Sequence, residues 1–176
     1  ADLEELQNLH KLNCFGREQR ANTRNVIDSI FVRKWTWIQQ DDGTAVRVIR
    51  SRLCVRGFKD RQADSVDTYS GTAARWSQRL IVSTAANHRW PLLSADIEKA
   101  FLQGCAYDDL APPDGEEKRD LCFTLPRGAV GLLANIPGFE NFDPLVEVLR
   151  CLKPGTGSRD APAAFSRKLT QVTQGI

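Results

Sequence analysis

Leu93-Ser94-Ala95-Asp96-Ile97-Glu98-Lys99-Ala100-Phe101-Leu102-Gln103-Gly104 holds an acid near the end of an apolar run and an aromatic ring five residues later. The run from Trp90 to Ile97 reads as a buried strand, so Asp96 is expected near a strand end. A carboxylate there suits a hard divalent cation, which takes oxygen ligands. Two ordinary fates compete with that reading: Asp96 as a helix N-cap or a satisfied buried acid, and Phe101 as core packing. Immediately upstream, Trp76 to Asn87 reads as a helix with Leu80, Ile81 and Ala85 turned inward.

Further upstream, Ile30 to Gln40 is rich in aromatic and β-branched residues, Asp41-Asp42-Gly43 supplies turn chemistry, and Thr44 to Gly57 alternates. The three together predict a β-hairpin. Alternate side chains of a strand share a face, so Arg50, Arg52 and Arg56 point one way and Ile49, Leu53 and Val55 the other. Guanidinium groups bind phosphate oxygens through a rigid fork, so such a row fits a triphosphate or a template backbone. A solvated strand face has the same pattern.

Toward the N-terminus, Leu3, Leu6 and Leu9 recur at helical spacing, which predicts a short amphipathic helix, then a polar loop to residue 24. Downstream, Asp108 to Asp120 is an acidic loop with an exposed turn at Pro112-Pro113-Asp114-Gly115. Leu121 to Leu125 predicts a short strand, 136–144 an irregular surface insertion, and Val146 to Leu152 a strand or a helix. Asp160 is placed to cap a helix from Ala161 to Val172, with Pro162 tolerated in its first turn. Gly155 and Gly157 lack the G-x-x-x-x-G-K-[ST] frame of a phosphate loop.

The 176 residues, 41% hydrophobic, suffice for one domain with a core. Formal net charge is +2, divided unevenly: residues 1–61 carry twelve Lys/Arg against eight Asp/Glu, and residues 62–176 twelve against fourteen. This split is compatible with a basic half facing nucleic acid and an acidic half binding metal, or with chance segregation of surface charge. Five cysteines without a C-x-x-C pair, and two histidines, argue against structural zinc. Without an apolar run of membrane-spanning length or a signal-peptide pattern, an intracellular setting, cytoplasm or nucleus, is expected. The absence of methionine, including at position 1, suggests a start inside a longer reading frame.

Four motifs occur in order: Arg50-Ser51-Arg52-Leu53-Cys54-Val55-Arg56-Gly57-Phe58, then Tyr69-Ser70-Gly71-Thr72-Ala73, then Ala95-Asp96-Ile97-Glu98-Lys99-Ala100-Phe101-Leu102-Gln103-Gly104, then Leu152-Lys153-Pro154 with Asp160-Ala161-Pro162-Ala163-Ala164-Phe165. The series resembles the reverse transcriptase domain of copia-type LTR retrotransposons, over about residues 30 to 170. The resemblance implies an α+β fold, with a fingers β-hairpin and the first part of a polymerase palm in which helices back an antiparallel sheet. It divides the chain into an N-terminal helix and loop, 1–29, and fingers with partial palm, 30–176. Asp96 becomes the catalytic carboxylate and a ligand to one of two Mg²⁺ ions. Arg50, Arg52, Arg56, Ile97 and Phe101 become nucleotide-binding residues, with Phe101 beneath the sugar. The implied partners are an RNA or DNA template-primer, deoxynucleoside triphosphates and the remainder of a Gag-Pol-type polyprotein, with no membrane.

Two departures stand out. Relatives complete the metal site with Tyr-x-Asp-Asp beyond the Ala-Pro motif, and no such pair follows Asp160. Asp160-Ala161-Pro162-Ala163 also replaces Gln-Ala-Pro-Arg. The expected activity of this chain alone is therefore nil. A non-catalytic nucleic-acid-binding remnant and an unstable pseudogene product are the rival readings.

Overall fold

A computed structural model describes residues 1–110 and 119–175. The chain is α+β. In order come helix α1 (Asp2–Lys11), strands β1 (Phe15–Gln19), β2 (Val26–Gln39) and β3 (Ala45–Val55), and helix α2 (Arg75–His88). A 3-10 turn (Ala100–Gln103), the short helix α3 (Tyr107–Leu110) and strand β4 (Cys122–Thr124) follow, then a 3-10 segment (Arg127–Asn135), strand β5 (Glu147–Cys151) and helix α4 (Ala161–Gln174).

The sheet runs β1-β5-β4-β2-β3. It is mixed rather than purely antiparallel, because β4 joins β2 in parallel over Val26–Asp28 while the other neighbours are antiparallel. The expected hairpin is present: β2 and β3 pair from Ser29↔Val55 to Gln39↔Ala45. At its tip Gly43 adopts φ +80°, and Thr44 closes the turn by donating both its amide and its hydroxyl to the Asp42 carboxylate. β2 runs across the expected boundary at 29/30.

One face of the sheet carries the core. α1 lays Leu6 and Leu9 against Phe15, Ile27, Leu53, Val55, Phe123 and Leu149, as its i, i+3 spacing predicts. Burying side chains of this size contributes roughly 1.5–3 kcal/mol each. Phe15 sits centrally, meeting Phe139 at 5.3 Å and Phe123 at 6.2 Å between ring centroids, both edge-on.

Several expectations are corrected. The polar loop after α1 contains β1, an edge strand pairing Phe15–Gln19 with Cys151–Glu147; Gly16, Arg17 and Glu18 hid it by breaking the apolar alternation. Segment 136–144 is no surface insertion, since Ile136 and Phe139 are buried in the core. Val146 to Leu152 resolves as a strand. Asp108–Leu110 belongs to α3, whereas Pro112-Pro113-Asp114-Gly115 lies outside the described residues. α2 forms, yet only Ala85 on it is buried, and Leu80 and Ile81 face solvent. Trp90 to Ile97 forms no strand: nothing among the described residues pairs with it, and Leu93 is 96% exposed.

Candidate functional site

β4 is only three residues long and accompanies β2 no further than Asp28; α1 still holds the hairpin at Arg33 and Leu53, and beyond these β2 and β3 project as a two-stranded arm that pairs with no further strand among the described residues. Residues paired across an antiparallel ladder share a face. Arg50 lies opposite Lys34, and Arg52 opposite Val32, which gathers Lys34, Arg50 and Arg52 on one exposed face. The arginine row is thus partly as expected. Lys34 is the cation that sequence reading missed; the hairpin register, countable from the Asp41-Asp42-Gly43 turn, would have located it.

Arg56 departs from the row. It follows the end of β3 and pairs at 2.8 Å with Asp28, which also holds Lys59 at 2.8 Å. The Lys59 ammonium, with Arg56 behind it, keeps the Asp28 carboxyl below its ordinary range. Arg56 is therefore partly neutralised at the root of the arm.

Asp96 and Ile97 lie in the exposed irregular segment, with Ile97 42% exposed. Lys99 turns the chain in left-handed geometry, φ 52°, and the Gln103 side-chain amide donates to the Glu98 carbonyl at 2.6 Å, so the 3-10 turn begins at Ala100, four residues after Asp96. Phe101 is 43% exposed and meets Phe165 of α4 edge-on at 6.4 Å. Gly104 lets this turn approach α4 closely, because a Cβ there would press on the backbone of Ala164 and Phe165. The turn therefore brings Phe101 to α4. Among the described residues no group of three or more His, Cys, Asp or Glu side chains could hold a metal ion. The side chains described therefore do not by themselves assemble a site for two Mg²⁺ ions, which need several oxygen ligands.

A buried polar network lies elsewhere. Arg119 pairs with Asp60 and, at 3.2 Å, with Asp160; Asn25 donates to Asp60 at 2.7 Å, and Tyr107 donates to Asp160 at 3.3 Å. Burial opposes the charge on Asp60, but the Arg119 and Asn25 hydrogen bonds prevail and hold its carboxyl below the ordinary range. Burial pushes the Tyr107 hydroxyl far up, so it stays protonated. Asp160 occupies the N-cap position of α4, but its side chain makes no cap hydrogen bond and is committed to Arg119. All five cysteines are free, and burial pushes the Cys14 thiol up to about 11, so it stays protonated and a poor nucleophile.

Gly155-Thr156-Gly157 acts as a clasp. Val55 donates its amide to the Thr156 carbonyl at 2.9 Å and Gly57 donates to the Gly157 carbonyl at 3.2 Å, tying the end of β3 to the loop before α4. Gly157 has φ +94°, and a Cβ on it would collide with the Val55 carbonyl oxygen.

Among the described residues no helix is long and apolar enough to cross a membrane. No family model matches the chain, and no solved structure matches it. Two proteins of Arabidopsis thaliana are similar over 94 residues: the Retrovirus-related Pol polyprotein from transposon RE1, 31% identical, and that from transposon RE2, 30% identical. Each match covers 52% of this chain and 6% of the relative, so the chain matches a small part of a much longer protein. This similarity supports an origin in a retrotransposon Pol polyprotein.

Proposed function

We propose that this chain is the fingers and first palm portion of a copia-type reverse transcriptase, working inside the cell as a part that binds nucleic acid and nucleotide. The observation that carries the reading is the free arm presenting Lys34, Arg50 and Arg52 on one face. The ordered motifs around it and the similarity to Pol polyproteins give that arm its context. Its substrates would be a template-primer and deoxynucleoside triphosphates, held through phosphate oxygens by the arm, with the open ring of Phe101 against the sugar.

The chemistry of such a polymerase needs a full set of metal-binding carboxylates, and Asp96 alone does not make one. The chain by itself is therefore assigned binding without nucleotidyl transfer. The exposed setting of Asp96 also favours a second reading, a remnant that has kept nucleic-acid binding and lost catalysis. The test is to give the purified chain a labelled template-primer, deoxynucleotides and Mg²⁺ or Mn²⁺. Retention of the template-primer without extension is expected. Incorporation that Asp96→Asn abolishes would show instead that the chain holds a working metal site.

A further inference from the structure

We propose that residues 90–97 are a proteolytic processing site, at which an endoprotease that recognises an apolar side chain cuts between Leu92 and Leu93 and leaves two pieces locked in one fold. The inference does not depend on what the arm binds. A protease takes its substrate as an extended strand, so a cut needs exposed backbone that is neither in a helix nor paired in a sheet. Residues 90–97 carry no helix, strand or turn and are exposed throughout. The segment is held just outside both ends: the Trp90 amide donates to the Ala85 carbonyl at 2.8 Å, and the Leu102 amide to the Lys99 carbonyl at 2.9 Å. Between these anchors Leu92 and Leu93 present adjacent apolar side chains, with Leu93 almost wholly exposed. Other exposed apolar residues lack that combination. Trp37 is paired in the β2–β3 ladder, Trp76 lies within α2, Phe58 lies in a 3-10 turn, and the Leu145 amide donates to the Asp143 carboxylate at 2.9 Å. Residues 67–74 are also irregular, but Tyr69 is their one large apolar side chain, and Asp67 is tied to Arg167 of α4 at 3.6 Å.

The cut is a hydrolysis: water adds across the Leu92–Leu93 peptide bond, leaving a carboxylate on Leu92 and an ammonium on Leu93. The topology then keeps the pieces together. Residues 1–92 supply α1, β1, β2, β3 and α2, and residues 93–176 supply α3, β4, β5 and α4. In the sheet order β1-β5-β4-β2-β3, the two strands of the second piece stand between β1 and β2 of the first. Both strands of that insert therefore pair across the cut, β5 with β1 and β4 with β2. The core cluster under α1 draws on residues up to Val55 and from Leu102 onward, and among the described residues on none between them. Arg17 with Glu147, Glu18 with Arg150 and Asp60 with Arg119 are ion pairs that also join the two pieces.

The test is limited digestion of the purified chain, at low concentration, with thermolysin, which cuts before large apolar residues; mass spectrometry and native gel filtration follow. The first cut should fall at Leu92–Leu93, and the two pieces should elute together with the circular dichroism of the intact chain. Their melting temperature should be lower than that of the intact chain and should rise with concentration, as for any two-chain complex. Leu92→Asp/Leu93→Asp should slow the cut about tenfold or more by denying the protease its apolar pocket residue, with the melting temperature of the uncut chain unchanged. Gly157→Ala, which loosens the fold elsewhere, should not speed the cut, because backbone that is already open does not await unfolding. A first cut outside 90–97, or an equal rate in the double aspartate variant, overturns the processing site. Faster cutting of Gly157→Ala would show that the bond opens only on unfolding and overturns it too. Pieces that separate or precipitate once cut overturn the claim that the fold survives. None of these outcomes bears on nucleic-acid binding by the arm, which stands or falls on its own test.

Discussion

At the scale of single residues, Arg119 has the most at stake. It is nearly buried between two carboxylates that lie 59 and 41 residues away in sequence. Removing one partner from a buried ion pair costs about 3–5 kcal/mol, because the other charge is left without compensation. Arg119→Met, which would strand Asp60 and Asp160 together, should lower stability by that order in urea melts. Asp60 sets the pH dependence. Its folded-state pKa lies below the ordinary value, so its contribution is present above an unfolded pKa of about 4 and is lost as pH falls through the folded value. Asp60→Asn should therefore be less stable at neutral pH and should lose less stability on acidification; parallel acid limbs for both proteins would contradict this. Nothing local in the sequence marks this network, since its members sit in loops and at element ends. Gly157 is similar. The sequence shows only that it lacks the frame of a phosphate loop, whereas the backbone demands glycine for a positive φ beside Val55, and Gly157→Ala should destabilise the chain enough to lower its melting temperature sharply.

At the scale of elements, those with a complete local pattern were readable. The arm combines β-branched and aromatic alternation with an Asp-Gly turn, α1 shows its leucine stripe, and α4 follows an acid and an early proline. The expected strand at Trp90 to Ile97 failed because an apolar run becomes a strand only where an edge receives it, and none among the described residues does. The inward face assigned to Leu80 and Ile81 failed likewise, since helical spacing shows that a stripe exists but not what covers it. Within the candidate site, parity gave the shared face of Arg50 and Arg52, while the capture of Arg56 by Asp28 depends on a long-range pairing invisible in the pattern. Among the described residues no third strand pairs with the arm beyond Asp28, so its backbone bonds outside Arg33 open without breaking the core. Amides of Lys34 to Gln39 should exchange with solvent much faster than those of Phe123 and Leu149. Equal protection across both groups would mean that the arm is held by contacts other than those seen.

At the scale of the whole molecule, a well-packed core under α1 coexists with a large apolar surface: Trp76, Leu80 and Ile81 on α2, then Trp90, Leu92 and Leu93, are all more than half exposed. Surfaces of this kind commonly drive association. The isolated chain should scatter light increasingly with concentration, and Leu80→Glu/Ile81→Lys should suppress that without lowering the melting temperature, since neither side chain supports the core. The arm, by contrast, gathers Lys34, Arg50 and Arg52 on one exposed face, for which the proposed function supplies a polyanion. The central claim, that this arm binds nucleic acid through Lys34, Arg50 and Arg52, is tested most directly by the salt dependence of template-primer affinity. Each phosphate contact contributes a slope of about 0.7–0.9 in log affinity against log salt. Replacing all three cations by alanine should flatten the slope by about two to three units, with the melting temperature nearly unchanged. A slope identical to that of the unaltered chain would return the three cations to a merely solvated face and contradict the account.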